Sequence, residues 1–224
     1  VQATCPNTCP FKGAGCYVDA GYTRKASKLM DVAAVGKAPA DVIREEVEVI
    51  DGAFGGADVP QDGAQGGRDL RLHIGGDAGD EEGARLLAGA ADRWHRRGGG
   101  VVWCYTHLWR EIPRAAWGRV AVHASVENGV EVEAARREGY WRIVLVVQRF
   151  PQADGGFLID GARRLRALPC VAELTGVTCV RCRRCLDRPL DAVTAFVIHG
   201  TRATQAARAL AGASGAQGRL KGVG

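Results

Sequence analysis

The sequence predicts an α/β fold: a parallel sheet of β/α repeats, forming a partial or minimal (β/α) barrel, with a cysteine-rich metal-binding element near the C-terminus. Three observations carry this expectation. From Leu70 onward, short apolar runs alternate with amphipathic stretches, the pattern of parallel strands joined by right-handed helical crossovers. The run from Ile143 to Val147 is apolar throughout, as in a strand covered on both faces. Seven of the eight cysteines fall in two short runs near the ends of the chain.

The elements follow in order. Tyr22 to Val35 has helical composition, and Ala38 to Phe54 has Pro39 placed for a first helical turn. Asp51 to Asp69 is rich in glycine and aspartate and reads as a loop. Leu70 to Ile74 is a short strand that ends in Gly75-Gly76-Asp77. Asp80 to Arg97 is a helix with Leu86, Leu87, Ala90, Ala91 and Trp94 on one face, stopped by three glycines. Val101 to Thr106 and Arg119 to Ala124 are strands, with a connector over Pro113 to Trp117 between them. Val130 to Glu138 is a helix ending at Gly139. Trp141 to Gln148 is a strand, Phe157 to Leu168 a helix, Ala192 to Ile198 a strand and Thr201 to Ala213 an alanine-rich helix. This makes about five clear strands. Residues 1–168 are expected to form the β/α domain with the first cysteine run. Residues 169–224 are expected to add the second run, with a final strand and helix packed on the same domain.

Composition narrows the function classes. The chain has 224 residues and is 46% hydrophobic, enough to bury a core without disulfides. That weakens a disulfide-scaffold reading of the cysteines. No apolar run approaches the length of a membrane span, and no signal peptide is visible, so a cytoplasmic protein with reduced thiols is expected. Net charge is +5, with 11 Lys/Arg against 3 Asp/Glu from Gly161 to Gly224. Such a basic excess can attract a nucleic-acid backbone. It also suits the offsetting of thiolate charge, because Arg181, Arg183 and Arg184 interleave with cysteines.

The cysteines point to metal. Cys5, Cys9 and Cys16 form a C-x3-C-x6-C run, and Cys170, Cys179, Cys182 and Cys185 a C-x8-C-x2-C-x2-C run. A C-x2-C-x2-C tripod lets thiolates converge on one compact inorganic centre, as in iron–sulfur sites. Three ligands on a four-iron (4Fe-4S) cluster leave one iron open for a small molecule, whereas four ligands close the site. Zinc is the alternative metal at both runs. Cys104, between Trp103 and Tyr105, reads as a core thiol. His95 reads as solvated, and His199 carries no assigned role.

In parallel β/α folds, function gathers at the carboxyl ends of strands. Here those ends carry Gly75, Gly76 and Asp77; Tyr105, Thr106 and His107; His123, Ser125, Glu127 and Asn128; and Gln148 and Arg149. Strand ends are polar in any protein, because chain reversals are solvated. The recurrence of Asp, His, Glu and Arg at successive ends favours a site.

Two resemblances appear on these residues. Cys16-Tyr17, the R-x-H-x-x-G-D segment from Arg71 to Asp77, the strand Val102 to Thr106 and the late cysteines resemble phage-encoded gene-product-eighty-eight-like proteins, a group without an established activity. More loosely, Cys5-x3-Cys9, Gly75-Gly76-Asp77 and the late cysteines resemble a minimal radical S-adenosylmethionine enzyme. Cys16 departs from that pattern, lying further from Cys9 than the usual third cysteine. The second resemblance implies a catalytic 4Fe-4S cluster on Cys5, Cys9 and Cys16, an auxiliary cluster on Cys170, Cys179, Cys182 and Cys185, and S-adenosylmethionine bound near Gly75, Gly76, Asp77 and Ser125. Tyr105, His107, Glu127 and Arg149 would line the catalytic pocket. The Asp77 carboxylate is expected to face the N-terminal cysteines, with Asp80 capping the next helix. The rival readings are a zinc-stabilised nucleic-acid-binding protein without catalysis and an iron–sulfur redox protein.

Overall fold

The computed structural model describes residues 3–53, 68–151, 156–159, 165–187, 193–213 and 221–222. Eight strands form one sheet: β1 (Leu70–Arg71), β2 (Val102–Thr106), β3 (Ala121–Val126), β4 (Ile143–Val147), β5 (Phe157–Leu158), β6 (Arg166–Pro169), β7 (Val193–Val197) and β8 (Lys221–Gly222). Their order is β1-β2-β3-β4-β7-β6-β5-β8. The six strands from β1 to β6 in that order pair in parallel, and β5 runs antiparallel to both β6 and β8. The chain is therefore an α/β protein on a mostly parallel sheet. Because β7 lies between β4 and β6, the segment after Cys170 shares the sheet with the rest of the chain.

The helices are α1 (Thr23–Ala33), α2 (Pro39–Ala53), α3 (Glu81–Arg96), α4 (Gly129–Arg137), the short α5 (Val171–Thr175), α6 (Cys179–Cys182) and α7 (Arg184–Asp187), and α8 (Ala203–Ala213). Local signals explain the long ones. Asp80 caps α3 by accepting from Gly83 N at 2.8 Å. Glu81 and Glu82 in its first turn and Arg93, His95 and Arg96 in its last complement the helix dipole. Asn128 caps α4 by accepting from Glu131 N at 3.0 Å.

Strand alternation divides the sheet into two unlike faces. Cys104, Val122, Ala124, Val126, Leu145, Val147, Val193 and Ala195 join one core with Ile43 and Ile50 of α2, Leu87, Ala91 and Trp94 of α3, and Val132 and Ala135 of α4. Trp103 and Ala121 point the other way and pack on Leu186. That second face also carries Tyr105, Ser125, Val146, Thr194 and Phe196, which border a cavity. The long helices α2, α3 and α4 thus cover one face, and the cavity borders the other.

Three expectations need correction. The described residues of the helix expected over Phe157 to Leu168 form strands at both of its ends. Phe157 and Ile159 are buried on one side of Leu158, and Ala167 is buried next to exposed Arg166, a period of two that builds β5 and β6 rather than a helical stripe. The strand starting at Leu70 stops at Arg71, although Leu72 N still donates to Trp103 O at 2.9 Å. His73 then turns the chain in a left-handed conformation, with φ 55°. Among the described residues the sheet also has eight strands, not about five. The Gly-rich loop is expected within 51–69, and its residues 54–67 lie outside the described ones.

Candidate metal and ligand cavity

All seven cysteines of the two runs border one cavity of about 460 Å³. It lies beside the carboxyl ends of β1, β2, β3, β4 and β7, whose contributions include Arg71, Tyr105, Ser125, Val146 and Phe196. Cys104 is excluded from it, being fully buried in the core with Leu87 and Trp94. All eight cysteines are free thiols.

The N-terminal run is docked by hydrogen bonds. Asp77 N donates to Thr4 Oγ1 at 3.2 Å, and Lys12 Nζ donates to Cys5 O at 2.6 Å. The Tyr17 hydroxyl donates to Ile74 O. Gly15 meets α8 so closely that a Cβ there would lie 2.6 Å from Ala206 N. The C-terminal run is held from beneath. His123 Nε2 lies 2.8 Å from Cys185 O, and Arg142 Nη1 donates to the same carbonyl at 2.8 Å. Burial pushes the His123 pKa down to about 4, so the neutral ring donates from Nε2 at neutral pH. Arg183 pairs with Asp69 and Asp187, and Arg184 donates to Pro169 O at 2.9 Å. Two of the three arginines among the late cysteines are therefore bound within the molecule.

The thiols are crowded within each run. Burial pushes the Cys5 pKa up to about 12, and Cys9, Asp77 and Cys16 add to it. Burial likewise pushes Cys185 up to about 11, with Cys170, Cys179 and Cys182 contributing. Buried, mutually repelling thiolates are stabilised by a bound cation. The donor set fits a thiolate-bound metal centre. Among the described residues, however, no three or more His, Cys, Asp or Glu side chains stand together at the spacing of a single bound ion.

The strand-end residues divide. Gly75, Gly76, Tyr105, His107 and Ser125 border the cavity. Asp77 does not. Its Oδ1 accepts from Ala78 N and Thr106 Oγ1, and its Oδ2 from His107 N, each at 2.8 Å. Burial raises its pKa, opposed by His73 and these donors. Glu127 stands behind the wall, with Oε1 3.1 Å from His107 Nε2. Arg149 is exposed and outside the lining. It follows the end of β4, beyond the reach of the strand alternation.

His107 is held in its charged form at the wall. Burial opposes its charge, but the Cys9 sulfur and Glu127 outweigh burial and raise its pKa to about 10. Several lining residues were not foreseen: Arg71, His73, Glu173, Phe196 and His199. The R-x-H spelling from Arg71 to His73 beside a strand end was a visible signal for the first two. His199 stacks near Tyr17, with ring centroids 5.9 Å apart, a pairing across the chain that no local pattern encodes.

One titration behind the wall is testable. Burial and the neighbouring Glu127 push the Glu131 pKa up to about 7 from 4.5. The native state therefore holds this proton to higher pH than the unfolded chain does, and Glu131's contribution to stability is lost as pH rises from about 4.5 through about 7. Glu131→Gln should gain stability relative to the wild type across that window. Denaturant titrations of both proteins at several pH values measure it, and a difference independent of pH would refute the assignment.

Compared with known proteins, the chain matches no family model, no curated protein and no solved structure. Among the described residues, no helix is long and apolar enough to cross a membrane.

Proposed function

We propose that the protein carries iron–sulfur clusters on its two cysteine runs and performs a radical S-adenosylmethionine-type reaction in the cavity between them. One observation carries this reading: seven thiols from the two ends of the chain border a single cavity at the carboxyl ends of parallel strands. A sheet with helices on one face and a cavity on the other suits a partial (β/α) barrel.

Cys5, Cys9 and Cys16 would hold one cluster and leave an iron without a protein ligand. Cys170, Cys179, Cys182 and Cys185 would close the other. When bound, the first cluster supplies single electrons to a cofactor at its open iron. The protein's own residues shape the rest. Gly75 and Gly76 present backbone without side chains to the cavity, allowing close approach of an amine or carboxylate. Asp77 acts behind them by fixing Thr106 and His107. His107 places a proton beside Cys9, and Glu127 orients its ring. Tyr105 and Ser125 offer hydroxyls toward the cavity.

Anaerobic purification tests the reading. Iron with acid-labile sulfide, and S-adenosylmethionine binding by calorimetry, are the expected results. Stoichiometric zinc without iron would favour a structural role with a nucleic-acid partner. Iron without cofactor binding would favour a redox protein.

A second reading has its own observation. Cys9, His107 and Glu127 stand in the order thiol, imidazole and carboxylate, the arrangement of a thiol nucleophile with an oriented base. Metal-free protein would then alkylate fastest at Cys9, and His107→Ala would abolish that preference.

A further inference from the structure

We infer that Arg71 and His73 form an anion-binding site, a seat for the carboxylate or phosphate of a small organic ligand held in the cavity. The inference deepens the reading of the cavity as a ligand site and does not depend on which metal the cysteines hold.

The two residues flank Leu72, which is buried at 2% exposure. Arg71 closes the strand and His73 sits in the left-handed turn that follows, and both border the cavity. The Arg71 guanidinium lies over the Trp103 and Tyr105 rings, at 5.1 and 5.4 Å from their centroids. It also reaches the Tyr17 hydroxyl. These contacts orient the guanidinium without neutralising it. Among the described residues no carboxylate pairs with Arg71, whereas Arg44, Arg85, Arg93, Arg97, Arg110 and Arg183 each have one. An oriented, unpaired guanidinium at a cavity wall is a fork for a carboxylate or phosphate.

His73 supplies an independent observation. Its Nε2 lies 3.0 Å from Glu46 Oε2, while its Nδ1 is buried with no hydrogen-bond partner. A buried polar atom without a partner is costly unless something else satisfies it. Glu46 favours the charged ring, in which Nδ1 is a donor. His73 also holds a left-handed φ of 55°, a strain that persists where the surroundings or a ligand require it. Among the described residues the one carboxylate bordering the cavity, Glu173, already accepts from Val197 N at 2.9 Å. Phe11, Val146 and Phe196 offer apolar surface for the rest of the ligand, and about 460 Å³ lies within the usual range for small-molecule sites.

The test is calorimetry on the full chain with four probes: adenosine 5′-monophosphate, benzoate, inorganic phosphate and neutral adenosine. At least one anion should bind more tightly than adenosine, and comparison of benzoate with the phosphates separates carboxylate from phosphate chemistry. Arg71→Gln should weaken that anion by roughly ten- to a hundredfold, the worth of one charge-assisted hydrogen bond or more, and leave adenosine unchanged. His73→Asn, chosen because asparagine tolerates left-handed backbone, should weaken it in the same direction. Arg71→Lys keeps the charge and should retain part of the affinity, which guards against a folding defect in the glutamine variant. Three results would each overturn the inference: no anion binding to the wild type at millimolar concentration, equal anion binding by Arg71→Gln, or equal weakening of adenosine. Iron is measured in the same samples. Anion binding without iron would remove the cluster reading alone, and iron without anion binding would remove this inference alone.

Discussion

Under the proposed two-cluster reading, serine substitution of Cys5, Cys9 or Cys16 is expected to remove the iron of the N-terminal centre and leave that of the C-terminal centre in place. Substitution of Cys179, Cys182 or Cys185 should do the reverse, and Cys170→Ser should group with them. The two sets border one cavity, so proximity alone does not separate them. The electrostatics do: Cys5 is raised by Cys9 and Cys16, and Cys185 by Cys170, Cys179 and Cys182. Each thiolate in either set is a ligand that a hydroxyl replaces poorly, and a structural zinc on such thiolates contributes on the order of 10 kcal/mol to a small domain. Loss at the affected centre should therefore be nearly complete. Cys104→Ser is the control. It sits in the main core against Leu87 and Trp94, so it should cost stability without costing iron. Iron and sulfide assays on the set decide the matter. If every single substitution emptied the protein of iron, the seven thiols would serve one shared centre.

Much of the fold was legible because its signals are local. The cap at Asp80, the apolar face of α3 and the uniform run of β4 each lie within one element. The hairpin of β5 and β6 was missed because its alternating run is short and leucine-rich, and because arginines around 163–166 mimic a helix surface. The grouping of the cysteines into two runs was legible from spacing alone. Their meeting at one cavity was not, since it depends on β7 entering the sheet between β4 and β6.

The site's polar wiring was the least legible part. Arg149 follows a strand and was expected in the pocket, yet it is exposed. His123 was named only as one of the rim residues, yet it anchors the Cys185 carbonyl across 62 positions of sequence. Arg71 carried its clue in an R-x-H pattern, but its lack of a carboxylate partner is a property of the folded surroundings. In each case the residue type announced chemistry, and only tertiary packing decided which direction the side chain faced.

Asp77→Asn is expected to lower the unfolding free energy by about 2–3 kcal/mol, the combined worth of a weakened charge-assisted bond and an unsatisfied buried donor. The carboxylate is 2% exposed. It accepts three hydrogen bonds, from Ala78 N, Thr106 Oγ1 and His107 N. An amide keeps one oxygen acceptor and turns an NH2 toward a remaining donor. If the oxygen stays with Ala78 and Thr106, the NH2 meets His107 N, and two donors oppose each other in a buried site. If the amide flips, both Ala78 N and Thr106 Oγ1 lose their acceptor. Thr106 Oγ1 also accepts from Leu108 N at 2.9 Å, so its hydroxyl hydrogen cannot be turned freely to relieve the conflict. The disturbance then reaches His107, whose backbone amide is the third donor and whose ring lies beside Cys9. Melting temperature should fall by several degrees, as roughly 2–4 °C accompanies each kcal/mol in a chain of this size. Any loss of S-adenosylmethionine affinity should follow that loss of stability rather than precede it. A variant that melts like the wild type yet fails to bind the cofactor would instead make Asp77 a direct ligand, with its carboxylate turned toward the cysteines when the cavity is filled.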